Sequence, residues 1–332
     1  MTAIDLYDGI TLHQGDCRDI MRSLPADHFD AVITDPPYGI SFQGEKWDTA
    51  TPTGFQSWAQ SWGEEALRIL KPGGYLLAFS APRTYHRLTS GLEDAGFEIR
   101  DAMAWIRADG KPAGTDLSAA FDRDAGVLDQ REGRVIERWD TSAVATDISS
   151  YKTSATGKPI TDEAKAWEGW GVGLKPAWEP IVVARRPLEG RLVDNVREHG
   201  TGALNIRAGM DAVNGLYPPN LLMGEEAMAA AVAQGAPDHV WPVFRYQPKA
   251  PTSERPKVGG VQHVTVKPLD LMRYLIRLVV RPGSLILEPF AGSGTTLQAA
   301  AMENTRAVGC ELDDRYIPLI KARFAQGIEA PL

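Results

Sequence analysis

Short hydrophobic runs alternate with amphipathic stretches over the first hundred residues of the chain. Each run has the length and the apolar character of a strand buried in a sheet. The predicted strands cover residues 10–14, 31–34, 75–79 and 97–106. Between them apolar residues recur at helical spacing. The predicted helices cover residues 17–24, 55–70 and 84–95. This alternation is typical of a doubly wound, mostly parallel α/β sheet.

The same periodicity returns near the carboxyl terminus and is weak in between. The predicted elements there are a helix at 269–280, a strand at 284–287, a helix at 297–302 and a strand at 307–310. Glycine, proline and isolated tryptophan accumulate in the middle, where residues 180–184 predict a strand at an edge of the sheet. The sequence therefore predicts three segments, which are 1–106, 107–262 and 263–332.

Two features of the first segment have more than one interpretation. The long polar loop 41–53 has the length of a functional lid near a substrate or of a solvated linker. Trp58 and Trp62 lie at helical spacing in the predicted helix 55–70, which favours a place in the core over a stacking platform for a base.

Composition and length describe an ordinary globular chain. Of 332 residues 43% are hydrophobic and 23% charged. We find no apolar run of about 18 residues and no basic-then-apolar amino terminus, so we expect a cytoplasmic protein without membrane contact. Cys17 and Cys310 are too few for a disulfide framework or a metal cluster, so we expect reduced thiols and no metal site.

The charge distribution limits how the chain could bind nucleic acid. A net charge of −8 argues against adhesion through general phosphate neutralisation. Residues 245–277 nevertheless carry seven basic and two acidic side chains, a local charge of +5. This stretch is either a solvated surface or an edge that contacts phosphates.

A carboxylate, two prolines and an aromatic ring follow the predicted strand 31–34, in the order Asp35, Pro36, Pro37 and Tyr38. Ligands bind at the carboxyl ends of strands in open α/β sheets. Prolines fix the backbone and remove amide donors, so the Asp35 carboxylate and the Pro36 carbonyl become acceptors beside the Tyr38 ring. This set suits an amino group on a planar heterocycle, although Asp and Pro also form ordinary turns at strand ends.

Asp-Pro-Pro-Tyr after an apolar strand resembles the catalytic motif of DNA amino-methyltransferases. Those enzymes methylate the exocyclic nitrogen of adenine or cytosine with S-adenosylmethionine. The resemblance implies catalytic roles for Asp35, Pro36, Pro37 and Tyr38, with Asp35 also bordering the cofactor. It further implies that Asp16, which follows the strand 10–14, contacts the adenine of the cofactor.

A second candidate site lies in the glycine-bearing loop 288–296. Glycines allow close backbone approach to a ligand, and the helix start behind them offers free amide donors. Glu311 ends the next predicted strand, where a carboxylate can accept both ribose hydroxyls. The candidate cofactor-binding residues are Glu288, Pro289, Phe290, Gly292, Ser293, Gly294 and Glu311.

This loop fits S-adenosylmethionine or a dinucleotide. A phosphate-cradling loop is disfavoured because no Gly-Lys-Ser/Thr ending follows. A dinucleotide pattern started at Gly292 would need a third glycine where the chain has Leu297. The run Glu-Pro-Phe-x-Gly-x-Gly resembles an S-adenosylmethionine site.

The order of the motifs resembles the β-class of DNA amino-methyltransferases. Asp35 precedes Glu288 by 253 residues, the reverse of the usual order, so the resemblance implies a circularly permuted, seven-stranded Rossmann-like sheet with an inserted target-recognition region in 107–262. A His-x-Thr-x-Lys-Pro run implies that Thr265 and Lys267 line the cofactor pocket, although Val264 stands where the family usually has Pro.

The resemblance implies a site-specific enzyme that methylates adenine N6 in duplex DNA. Adenine is favoured because relatives acting on cytosine N4 more often have Ser in place of Asp35. Methylation of RNA and a non-catalytic nucleoside-binding module are further alternatives. The family also suggests a homodimer and a cognate restriction endonuclease as partners.

Overall fold

A computed structural model describes most of the chain. The described residues are 2–40, 48, 51–106, 115–133, 157–174, 177–209, 217–224, 229, 232–233, 235, 250–263, 265–325 and 327–328.

Strands and helices alternate along the described parts of the chain. The strands are β1 (Thr2–Tyr7), β2 (Ile10–Gln14), β3 (Phe29–Thr34), β4 (Leu70–Phe79), β5 (Glu98–Ile106), β6 (Trp178–Arg185), β7 (Leu221–Met223), β8 (Lys257–Val258), β9 (Val261–Gln262), β10 (Leu285–Glu288) and β11 (Arg306–Glu311). The α-helices are α1 (Cys17–Ser23), α2 (Pro52–Ile69), α3 (Tyr85–Asp94), α4 (Leu117–Asp124), α5 (Asp162–Ala166), α6 (Leu192–His199), α7 (Leu269–Val279), α8 (Thr295–Met302) and α9 (Ile317–Ala325).

One large sheet organises the molecule, in the strand order β1-β2-β11-β10-β3-β4-β6-β5-β7. Strands β2, β11, β10, β3 and β4 run parallel to one another, and β6 runs antiparallel between β4 and β5. The seven strands from β2 to β5 form the core, and β1 and β7 extend it at its edges. The predicted α/β class with a mostly parallel, Rossmann-like sheet is confirmed.

Helices cover both faces of this sheet because its strands are apolar on both sides. Leu76 and Ala78 of β4 pack with α1, α2 and α3, whereas Leu77 and Phe79 pack with α7, α8 and α9. Neighbouring residues of a strand point to opposite faces, so these helices form two layers. The sheet is therefore doubly wound.

The two ends of the chain meet in the middle of the sheet. Strand β3 pairs in parallel with β10, with Ala31 opposite Ile286 and Val32 opposite Leu287. Strand β2 likewise pairs with β11 over five residues. The permuted order of the motifs thus produces one continuous sheet.

The position of β6 corrects a prediction. Residues 180–184 were expected at an edge of the sheet, but β6 hydrogen-bonds to β4 on one side and to β5 on the other. The residues Ile181 to Ala184 are all buried, which agrees with an interior strand. Pro180 near its start still contributes, because its carbonyl accepts from Ser80 N at 2.9 Å.

Residues 107–177 form a second compact unit, distinct from the unit of residues 1–106 and 178–332. Its buried centre is Asp122, which accepts from Arg131 Nε at 2.6 Å and from Thr161 Oγ1 at 2.7 Å. The predicted middle segment, 107–262, is thus divided. Its first part forms this unit, and β6, α6 and β7 of its remainder belong to the sheet-containing unit.

No helix among the described residues combines the length and the apolar character needed to cross a bilayer.

Candidate active site

Acidic side chains follow the ends of neighbouring strands along one edge of the sheet. Asp16 comes two residues after β2, Glu311 and Glu288 end β11 and β10, and Asp35 directly follows β3. These four strands are parallel neighbours, so their carboxyl ends meet at the same edge. The antiparallel strand β6 begins at this edge and adds Glu179. We call these five residues the carboxylate rim.

Asp35 is held by two donors. Tyr38 Oη donates to Asp35 Oδ1 at 2.8 Å, and Lys267 Nζ donates to Asp35 Oδ2 at 2.6 Å. Lys267 is buried and lies 4.8 Å from the centre of the Phe79 ring, close enough for a cation–π contact. The structure therefore pairs Lys267 with the candidate catalytic carboxylate, while the sequence had suggested only the cofactor pocket.

Glu179 joins the same group of side chains. Tyr38 Oη lies 3.1 Å from Glu179 Oε2, and Lys267 Nζ lies 3.4 Å from the same oxygen. Burial, together with the neighbouring charges of Asp35 and Glu179, raises the pKa of Tyr38 well above its usual value. The hydroxyl therefore stays protonated and acts as a donor at neutral pH.

Asp48 holds the turn that carries Tyr38. Its carboxylate accepts from the backbone N–H of Tyr38 at 2.6 Å, of Gly39 at 2.7 Å and of Ile40 at 3.2 Å. The prolines before Tyr38 have no such donors, so these three are the first that the turn offers. The lid and linker interpretations of the loop 41–53 concern mainly residues 41–47 and 49–50, which lie outside the described residues.

Glu288 connects the glycine loop to β3. Its carboxylate accepts from Thr34 Oγ1, from Thr296 Oγ1 at 2.6 Å and from Phe290 N at 3.0 Å. Burial raises the pKa of Glu288 to about 8, even though the donors Thr296, Thr34 and Phe290 oppose the rise. The Glu288 side chain therefore holds the glycine loop beside β3, the strand that Asp35 follows.

The glycine loop needs glycine at two positions for defined reasons. Gly292 has φ +53°, and a Cβ there would lie 3.0 Å from the His263 ring. Gly294 precedes α8 with φ +80°, and a Cβ there would lie 3.0 Å from Ile320. Both positions combine left-handed backbone with a close neighbour, so glycine is needed for the turn that leads into α8.

Glu311 lies next to this loop. Its carboxylate accepts from Gly292 N at 2.7 Å and from Asp313 N at 2.8 Å. Burial raises the pKa of Glu311 to about 7. Each carboxylate oxygen can accept a second hydrogen bond, so the group still has capacity for a hydroxyl-bearing ligand.

Arg323 is a supporting residue that sequence reasoning missed. It is buried on α9, and its guanidinium donates to Ser293 O at 2.8 Å, Gln298 Oε1 at 2.7 Å and Glu254 O at 2.7 Å. Burial lowers the pKa of Arg323 to about 10, which leaves it charged at neutral pH. It therefore also holds the glycine loop, through the carbonyl of Ser293.

The remaining predicted residues surround the same edge. Pro36, Pro289 and Ser293 are buried, and Pro37 and Thr265 are half-buried. The Phe290 ring packs on Trp58 and Trp62, with ring centres 5.5 and 5.6 Å apart. Trp62 is fully buried in the core on that face, as predicted, and Trp58 is half-buried and packs against it.

Asp16 caps α1 and already has a charged partner. It accepts from Arg18 N at 2.9 Å and forms an ion pair with the Arg18 side chain at 2.6 Å. The Arg18 hydrogen bonds lower the pKa of Asp16, although partial burial opposes them. Gly15 N donates to Glu311 O, so Asp16 lies beside the strand that carries Glu311.

The basic stretch 245–277 is partly neutralised. Arg273 and Arg277 both donate to Glu303, at 2.7 and 3.1 Å, and Lys267 belongs to the Asp35 group. Arg245 and Lys249 lie outside the described residues. Fewer cations are therefore available to contact phosphates than the local charge of +5 suggested.

A family model of DNA methylases that act on N6 or N4 matches residues 29–322. The match spans both halves of the permuted sheet and every rim residue except Asp16. The chain belongs to this DNA methylase family. The resemblance found in the motifs is thereby confirmed at the level of the family.

Individual relatives agree with this assignment. The methylase is 28% identical to the type II methyltransferase M.HindIII of Haemophilus influenzae, in an alignment that covers 88% of this chain and 87% of that protein. A shorter match, 30% identical, covers 22% of this chain and 18% of the type II methyltransferase M.BamHI of Bacillus amyloliquefaciens.

A solved DNA methyltransferase structure shares the fold of this methylase. The cytosine-N4-specific PvuII DNA methyltransferase has a TM-score of 0.53 at 15% identity, over 95% of this chain and 85% of that chain. M1.HpyAVI, solved as a complex with SAM, has a TM-score of 0.46 at 16% identity, over 94% and 98%.

The raised pKa of Glu288 gives a prediction about stability. A glutamate with a folded pKa of about 8 and an ordinary value of 4.5 stabilises the fold most below pH 4.5, and this contribution is lost as the pH rises through 8. The loss is on the order of 4 kcal/mol. Glu288→Gln stays neutral, so its free energy of unfolding should fall less over this range.

Urea unfolding of both proteins at pH 5, 6.5 and 8 measures the difference. The unmodified protein should lose stability relative to Glu288→Gln as the pH rises. An identical pH dependence in the two proteins would show that Glu288 is already ionised at pH 5.

Proposed function

We propose that this methylase is a site-specific DNA methyltransferase that transfers a methyl group from S-adenosylmethionine to N6 of a flipped-out adenine in duplex DNA. The observation that carries the proposal is the direct pairing of β3 with β10, which brings Asp35 and the glycine loop to one edge of the sheet. A donor and an acceptor of a methyl group bound at these two strand ends would be neighbours.

The residues of the glycine loop fit the cofactor. Gly292 and Gly294 allow the tight turn that brings the loop backbone beside Glu311, whose carboxylate accepts from Gly292 N. Glu311 accepts the ribose hydroxyls beside this loop, and Asp16 lies at the next strand end, where the adenine would bind. The cofactor, when bound, supplies an electrophilic methyl group on a sulfonium.

Asp35 and Pro36 prepare the amine for attack. The lone pair of an exocyclic amine is delocalised into the ring, which makes it a poor nucleophile. Hydrogen bonds from its two N–H groups to the Asp35 carboxylate and the Pro36 carbonyl favour a pyramidal nitrogen with a localised lone pair. Positioning contributes roughly 7 to 11 kcal/mol and a charged hydrogen bond roughly 1.5 to 3, so positioning is the larger effect.

The amine is unreachable inside a duplex, so the base must rotate out of the helix at a cost of a few kcal/mol. Tyr38 is half-buried and its hydroxyl lies within hydrogen-bond distance of Asp35 and Glu179, which favours a face of its ring as the stacking surface. The flipped base stacks on this face with its amine towards Asp35.

Adenine is preferred to cytosine because Asp, not Ser, occupies position 35. The alternative of cytosine N4 is compatible with the same fold, which the cytosine-specific PvuII enzyme shares. DNA recognition by residues 107–262, a homodimer, a cognate restriction endonuclease and a cytoplasmic location stay predictions.

Incubation of the protein with unmethylated mixed-sequence duplex DNA and labelled S-adenosylmethionine tests the proposal. Digestion to nucleosides and mass analysis should find N6-methyladenosine in its deoxy form. Deoxycytidine methylated at N4 would support the alternative base. Transfer in a parallel incubation with mixed-sequence RNA, with none to the DNA, would reject DNA as the substrate.

The role of Asp35 predicts a sharp loss on substitution. Asp35→Ala should abolish methyl transfer and retain cofactor binding, because the glycine loop and Glu311 do not depend on this carboxylate. Radiolabel incorporation and calorimetry measure the two properties. Asp19→Ala, which removes an exposed carboxylate paired with Arg22, is the control and should keep full activity. Normal turnover by Asp35→Ala would reject the assigned role.

The role of Glu311 predicts a loss of cofactor affinity. Glu311→Ala removes an acceptor for the ribose hydroxyls, so the dissociation constant should rise about 10- to 100-fold, the size of a charged hydrogen bond. Calorimetric titration measures it. Glu303→Ala removes a similarly enclosed glutamate that binds arginines of α7, and it should leave the affinity unchanged. Equal affinities of Glu311→Ala and the unmodified protein would contradict the assignment.

A further inference from the structure

Asp35 and Glu179 compete for the hydrogen bond of the Tyr38 hydroxyl. Tyr38 has one hydroxyl proton but lies within reach of two carboxylates, Asp35 at 2.8 Å and Glu179 at 3.1 Å. When the proton points to Asp35, one oxygen of that carboxylate is engaged by Tyr38 and the other by Lys267. When it points to Glu179, both lone pairs of the first oxygen become available to another donor instead of one. Rotation of one hydroxyl thus changes what Asp35 can accept.

The charge of Lys267 is unfavourable for the proposed reaction. The Lys267 ammonium contacts Asp35 directly, and a nearby cation opposes the positive charge that develops on an amine as it is methylated. The formal charges of Asp35 and Lys267 alone sum to zero. Glu179, at 3.4 Å from Lys267 Nζ, brings the group of three to −1. The side chains of Lys267 and Glu179 are mostly buried, so water screens them little.

We infer that Glu179 is a positioning residue of the methyl-transfer site, one that accepts a hydrogen bond from the Tyr38 hydroxyl and offsets the Lys267 charge so that Asp35 can bind the target amine. This inference rests on the proposed function, because it concerns the same reaction. Glu179 acts through Tyr38 and Lys267 and need not touch the substrate itself.

The strand that carries Glu179 has other support. Strand β6 pairs with β4 and β5 through its main chain, and Arg185 at its far end binds Glu98 at 2.6 Å. Main-chain pairing does not depend on the charge of residue 179. A glutamine of the same size should therefore keep the strand in place while it removes the charge.

The first test compares Glu179→Gln with the unmodified protein and with the control Glu98→Gln, which removes a carboxylate paired with the same strand. Single-turnover methylation of unmethylated mixed-sequence duplex DNA is measured at saturating S-adenosylmethionine. Glu179→Gln should lower the rate about 10- to 100-fold, and Glu98→Gln should leave it unchanged. Cofactor affinity should be the same in all three proteins. An unchanged rate in Glu179→Gln would overturn the inference.

The second test separates charge compensation from a general structural role. In a Lys267→Met background, Glu179 and Asp35 are two uncompensated carboxylates, so adding Glu179→Gln should cost less than about threefold or raise the rate. A cost equal to that in the unmodified background would overturn the inference. If Glu179→Gln alone does not fold, the rate of the double variant relative to Lys267→Met alone decides, and a loss greater than about threefold overturns the inference.

The outcomes distinguish this inference from the proposed function. If the unmodified protein transfers no methyl group to DNA, the proposed function fails. If the unmodified protein is active and Glu179→Gln is equally active, the proposed function stands and only the inference about Glu179 fails.

Discussion

The parallel pairing of β3 with β10 is the constraint on which the rest of the site depends. These strands lie about 250 residues apart in the chain and adjacent in the sheet, so their carboxyl ends must open on the same edge. The hydrogen bond from Thr34 to Glu288 continues this pairing beyond the last ladder residues. The geometry of the sheet therefore makes Asp35 and the glycine loop neighbours, whichever of the two motifs comes first along the chain.

Bringing five carboxylates to one edge is electrostatically unfavourable unless each has hydrogen-bond donors. Asp16 uses Arg18, Glu311 uses two backbone N–H groups, and Glu288 uses two threonines and a backbone N–H, whereas Asp35 and Glu179 share Tyr38 and Lys267. These donors differ in whether they can leave the carboxylate. Donors that belong to the backbone are permanent, whereas a rotatable hydroxyl can leave its acceptor. Asp35 therefore has a donor that can be exchanged for a substrate.

Much of this arrangement was predictable because its signals are local. Strand β3 and the turn at Asp35 lie within ten residues, and the glycine loop and Glu311 follow one another along the chain. The order of the motifs then indicated the permutation. Glu179, Asp48 and Arg323 gave no signal, because each acts on a partner that only the fold brings near. The interior place of β6 was missed for the same reason, since strand order is a tertiary property that a short apolar run does not encode.

The closeness of Lys267 to Asp35 has opposite effects before and during the reaction. Before substrate binds, the ammonium stabilises an enclosed carboxylate, and two unit charges about 4 Å apart interact by about 4 kcal/mol at an effective dielectric constant of 20. The same cation disfavours positive charge on a nearby nitrogen by a comparable amount at a similar distance. Positioning of two bound reactants, at roughly 7 to 11 kcal/mol, exceeds this cost. A site can therefore tolerate the lysine for the sake of geometry, provided that a second carboxylate reduces the residual repulsion, and Glu179 lies where such a carboxylate is needed.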